Sequence, residues 1–159
     1  MPTSRAATSH RRLLRTLHAI AGGVALVTIA TFLGATLATE LAGSVPAVVT
    51  VKALIPWGLL VLIPALAITG GTGFALDRGS GRAAAKARRM RIIAANGLLL
   101  LVPAAFFLAM KAGAGELDLA FYSVQAVEIL AGTVNLVLII CNARDGFTLS
   151  HQRSRALRA

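Results

Sequence analysis

Residues 119–142, LAFYSVQAVEILAGTVNLVLIICN, form an apolar run of the length that crosses a bilayer as a helix, yet the run carries Gln125, Glu128, Asn135 and Asn142. These four fall with Gly132 and Ile139 at steps of three and four, so they share one helix face. Val124, Val127, Leu130, Val134, Val137 and Leu138 occupy the rest of the surface. A carboxylate turned towards acyl chains costs about 2.5–3.5 kcal/mol on insertion scales. The polar face therefore has to point into protein, which makes this span one member of a bundle.

Three further apolar spans lie upstream, at 17–39, 51–76 and 92–112. The expected fold is all-α: a polytopic membrane protein whose four-transmembrane-helix bundle occupies 17–142. Basic tails at 1–16 and 143–159 and a basic loop at 77–91 complete the chain. Composition points the same way, with 57% hydrophobic and only 14% charged residues in 159 and a mean hydropathy of +0.77. The connections are too short for a separate extramembrane domain.

A net charge of +10 invites a nucleic-acid reading, but fourteen of the sixteen cations sit in three places. Arg5, Arg11, Arg12 and Arg15 precede the first span; Arg78, Arg82, Lys86, Arg88, Arg89 and Arg91 separate the second from the third; Arg144, Arg153, Arg155 and Arg158 follow the fourth. The remaining two connections hold only Lys52 and Lys111, beside Glu40, Glu116 and Asp118. By the positive-inside rule, both termini and the middle loop are cytoplasmic and the other two loops face outward. The basic loops are expected to lie against anionic lipid headgroups, so no nucleic-acid partner is needed. The first span is longer than an ordinary signal h-region and is read as a retained helix.

Glycine and proline mark the turns. The segment 40–46, with Gly43, Ser44 and Pro46, and the segment 113–115 are read as tight outward turns. Pro56, Pro64 and Pro103 fall inside spans and predict bends in the second and third helices. Gly70-Gly-Thr-Gly73 has neither the Lys-Ser/Thr ending nor the preceding strand of a phosphate loop and is read as a loosened helix end. The tails before Leu13 and beyond Arg144 are expected to be mobile.

Glu128 is the main candidate binding residue. It lies nine residues past Leu119, about 13 Å at helical rise and so close to the midplane. Two readings stand side by side: a site for a proton, a cation or a polar ligand head, or a neutral carboxyl hydrogen-bonded to Gln125 or a neighbouring helix that fixes packing. Lys52 is the cation best placed to approach from the outer side, although snorkelling to the outer headgroups is the expected state of a lysine there. Asn96, Asn135 and Asn142 form a more cytoplasmic level, with His18 near the same height; together they line a polar pocket or serve as interhelical hydrogen-bond partners. His18 is also the residue that would ligate haem b or meet a quinone headgroup, since His10 and His151 lie in the tails.

The remaining inventory is short. Cys141 is the lone cysteine and is read as a small packing residue. Glu116 and Asp118 read as a solvated pair, and no metal cluster or catalytic motif appears, so no catalytic residue is assigned. Ala30, Gly34 and Ala38, with Ala21 and Ala25, make small-residue edges suited to close helix approach within the chain, in a homodimer or in a larger membrane complex. Thr28, Thr31, Thr36 and Thr39 can return hydrogen bonds to their own helix. Trp57 and Tyr122 are placed towards the outer interface, with Trp57 deep enough to pack internally.

The segments MRIIAANG at 90–97 and FYSVQAVE at 121–128, followed by Asn135 and by NARDG at 142–146, resemble small bacterial four-helix inner-membrane proteins that have no assigned activity. The resemblance implies a bacterial inner membrane. Similarity to small multidrug transporters extends to size alone, because their carboxylate lies in the first helix, where this chain has only Glu40 at the outer end. The functional expectation is an intramembrane polar site that binds or passes a small polar species or proton. The alternatives are a haem- or quinone-binding redox subunit and a structural or assembly subunit.

Overall fold

The computed structural model describes residues 3–76 and 81–156, with side chains for 8–76 and 86–145. The chain folds as an all-α bundle: α1 (Thr3–Leu41), α2 (Val45–Leu76), α3 (Gly81–Asn96), a π-helical turn (Gly97–Leu101), α4 (Val102–Gly113) and α5 (Leu119–Ala156). The segment α3–π turn–α4 acts as one rod, so four helices are long and apolar enough to cross a membrane. They are longer than the spans read from hydropathy. Helix continues from Thr3 and runs to Ala156, so the segments expected to be mobile are helical wherever the backbone is described. Alanine- and arginine-rich flanks propagate a helix once an apolar segment has nucleated it. The segment 77–80, which opens the basic loop, and the side chain of His151 lie outside the described residues.

Both hairpin turns form where glycine is needed. Gly43 and Gly115 have φ values of 62° and 71°. At the second turn the Gly115 N–H donates to the Ala112 carbonyl and the Glu116 N–H to the Lys111 carbonyl, the pair of bonds that ends a helix on a left-handed residue. Asp118 then starts α5 by accepting from the Phe121 N–H at 3.0 Å. Glu116 and Asp118 are exposed, as a solvated pair would be, and Lys111 Nζ bridges them, donating to both at 2.6 and 2.8 Å.

The Lys111 ammonium and the Phe121 N–H hold the Asp118 carboxyl below its ordinary value of 3.8. A carboxyl depressed by folding contributes stability that is complete above its unfolded value and is lost as pH falls through the folded one. Acidification below that ordinary value should therefore deprotect the first turn of α5 in amide exchange, with the onset at higher pH in the Lys111→Met protein. An onset unchanged by that substitution would remove the assigned cause.

α1 packs along α2, α2 against α4, α4 against α5 and α5 back against α1, leaving α2 and α5 on one diagonal of a square. An apolar core of Ala25, Ile29, Ile55, Leu59, Leu62, Ala65 and Ala105 fills the middle. A second cluster, Val48, Leu108, Ala112 and Phe121, closes the end that carries the two hairpin turns. Large apolar side chains cover the outside: Val27, Trp57, Leu60, Leu99 and Leu130 are all more than half exposed. Such a surface suits acyl chains rather than water. Trp57 is thus outside the bundle and not packed within it.

α2 stays helical through Pro56 and Pro64 and through Gly70–Gly73, so the loosened end expected there is absent. The third rod is the one that departs from α geometry. Pro103 has no N–H to offer the Leu99 carbonyl, and the Val102 N–H reaches back five residues to Gly97.

Candidate functional site

The face of α5 read from the sequence does turn inward. Gln125, Gly132, Asn135 and Asn142 are buried and Glu128 and Ile139 partly so, whereas Val127, Leu130, Val134 and Val137 are exposed. The bundle spends its protein-covered surface on the groups that lipid would penalise most.

Lys52 Nζ donates to Glu128 Oε2 in a salt bridge across the α2–α5 diagonal, with side-chain exposures of 2% and 13%. This corrects the snorkelling expectation for Lys52. Lysine reaches an interface only when its stem can climb the outside of a helix, and the Lys52 position faces the bundle axis, one turn from Val48 and Ile55, both buried. The ammonium also donates to Thr36 Oγ1 on α1 at 3.4 Å. Lys52 lies seven residues into α2 and Thr36 five from the end of α1, about 10 and 8 Å from the turn end at helical rise. The pair therefore occupies the half of the bundle nearer the turns.

Gln125 does not bond Glu128. Its Nε2 donates to Glu40 Oε1 on α1 at 2.7 Å, and its buried Oε1 has no hydrogen-bond partner. Polar groups near the turn end thus form two sets, Glu40 with Gln125 and Glu128 with Lys52 and Thr36, brought side by side by the three-residue spacing of Gln125 and Glu128 on α5. The apolar middle core begins one turn deeper along α2, at Ile55.

The chain matches no protein-family model, no curated protein and no solved structure. Its chemistry has to be read from its own side chains.

The asparagines separate into two places. Asn96 Nδ2 donates to the Asn135 side chain at 2.8 Å and to the Ala131 carbonyl at 2.9 Å, while Asn135 Nδ2 donates to the Ile93 carbonyl at 3.3 Å. These bonds fasten α3 to α5 just before the π turn. Asn142 is buried with both side-chain polar atoms unpartnered. His18 joins neither group: its Nδ1 lies 3.0 Å from the Thr69 carbonyl and 3.1 Å from Thr72 Oγ1, both on α2. Since a carbonyl only accepts, Nδ1 carries the hydrogen and Nε2 a lone pair.

Of the six candidates, Glu128 and Lys52 meet directly, Gln125 lies one turn from Glu128 on α5 but bonds Glu40, and Asn96 pairs with Asn135. His18 stands apart. Sequence reading missed Glu40, Thr36, Thr69 and Thr72. Glu40 carried a signal, as the only carboxylate at the turn end of the first span, but its partner lies 85 residues away. Ala21 and Ala25 face the interior, whereas Ala30, Gly34 and Ala38 face outward, and Cys141 is a half-buried free thiol.

Proposed function

We propose that this is an integral membrane protein that binds or passes a small polar species, a proton first among them, at the Lys52–Glu128 pair. The observation that carries the reading is the placement of both charges of that pair on the bundle diagonal, well inside the turn end. Well-packed apolar residues in their place are often neutral or stabilising, so stability alone is a weak reason for a buried ion pair. Positive-inside orientation makes the turn end the outer one, so the pair lies nearer the outer aqueous phase, with Glu40 and Gln125 beside it at that end. The resemblance supports a bacterial inner membrane, and the clustered cations support anionic headgroups at the basic end. The outward ladder of Ala30, Gly34 and Ala38 supports a second copy or a partner helix packing there.

Reconstituted vesicles with a pH-sensitive dye inside should show flux under a proton gradient, abolished by Glu128→Gln, whose amide neither takes nor gives a proton. Full flux in that variant would end the transport reading and leave the structural or assembly role. One observation favours the redox alternative: a histidine whose Nδ1–H is fixed on a carbonyl presents Nε2 as haem ligands do. A Soret band from the purified protein, lost in His18→Leu, would decide for it.

A further inference from the structure

Three ionisable side chains share the interior of the turn end: Glu40 on α1, Lys52 on α2 and Glu128 on α5. Lys111, the one ionisable residue of α4, is occupied by Glu116 and Asp118. With Lys52 engaged by Glu128, Glu40 is left as a carboxylate with no cation in an ion pair with it among the described residues. Its partner here is neutral, the Gln125 amide N–H at 2.7 Å. The carbonyl of the same amide is buried and lacks a donor, a costly state for a buried polar group.

The two deficits answer each other. A primary amide presents an N–H and a C=O side by side, and a carboxyl presents two oxygens at a similar spacing. When one carboxyl oxygen accepts from the N–H, the other can lie alongside the carbonyl. Two bare oxygens repel there, whereas a single proton on the carboxyl converts the contact into a second hydrogen bond.

We propose that Glu40 is the first proton-accepting residue of this site, ahead of the Lys52–Glu128 pair, and that Gln125 is its positioning partner. A proton from the aqueous phase at the turn end adds to a Glu40 carboxylate oxygen, and the acid so formed donates its O–H to Gln125 Oε1; release reverses both changes. The three groups then pass from one net negative charge to none, the favoured state in a low-dielectric interior, while Glu128 remains the counterion of Lys52. The inference rests on the proton reading above, names the proton as the species, and carries the site one residue nearer to water.

Infrared difference spectra of the lipid-reconstituted protein, recorded as the pH is lowered, test this through the C=O stretch of a protonated carboxyl. The wild type should gain a band that is missing in Glu40→Gln and kept in Glu128→Gln. Gln125→Leu should displace it to higher frequency, because the O–H loses its acceptor. Glu40→Asp, which keeps the acid but withdraws it by one methylene, should retain a shifted band and guards against a folding defect in Glu40→Gln. A band unchanged in Glu40→Gln, or lost in Glu128→Gln and kept in Glu40→Gln, overturns the proposal. So does a band indifferent to Gln125→Leu. The two readings fail separately: full flux in Glu128→Gln with the Glu40 band intact removes transport alone, and lost flux with no Glu40 band removes the Glu40 assignment alone.

Discussion

Lys52→Met should cost about 3–5 kcal/mol of stability, the usual penalty for stripping one partner from a buried ion pair. Methionine fills nearly the same volume as the lysine stem, so packing around Val48 and Ile55 is preserved and the loss reports on charge. What remains is Glu128, 13% exposed, with its cation gone and with Gln125 committed to Glu40. The double variant Lys52→Met/Glu128→Gln removes both charges and should recover most of the loss. Reversible denaturation in mild detergent provides the four corners of the cycle, and coupling of well over 1 kcal/mol is the expected result. Equal destabilisation of the single and double variants would mean that the pair contributes packing alone, and the charged-site reading would fall with it.

Gly58→Leu should be the next most damaging change, by about 1–3 kcal/mol, the range for overpacking a filled interior. Even a methyl group there would stand 2.6 Å from Phe32 Cε1. Gly58 is where α2 comes closest to the Phe32 ring on α1, in the part of the bundle where those helices run against each other along their length. In a bilayer that contact depends on close van der Waals approach, because lipid supplies no hydrophobic drive between helices. Phe32→Ala in the Gly58→Leu background should restore much of the lost stability by vacating the ring volume. Gly70→Leu is a fitting control, since a Cβ there meets nothing within 4 Å and only a small effect is expected. A Gly58→Leu protein as stable as the wild type would show that the ring swings aside freely.

The π turn illustrates a feature written only half in the chain. Pro103 announces a missing hydrogen bond, and from it a bend was the natural expectation. The rod widens by one residue over Gly97–Leu101, the kind of bulge at which helices bend. One step earlier the Asn96 and Asn135 clasp holds the end of α3 against α5. The asparagines were visible in the sequence as polar residues at one depth, but their pairing was not.

His18 shows the opposite error. Its height along α1 put it beside the asparagines, yet its direction around the helix sends it to Thr69 and Thr72 on α2. Depth follows from counting residues at a fixed rise, whereas direction depends on which neighbour the helix has acquired.

The same division holds for the site as a whole. The four spans, their hairpin turns at Gly43 and Gly115 and the inward polar face of α5 were determined by the sequence alone. Each follows from local quantities: the length of an apolar run, the handedness of a backbone and the 3.6-residue period. Only the tertiary structure decided that Lys52 turns from the headgroups to Glu128, and that Glu40 meets Gln125. Those contacts join helices 76 and 85 residues apart in the chain. They exist because a low-dielectric interior leaves a buried charge or amide no partner except the one brought to it by packing.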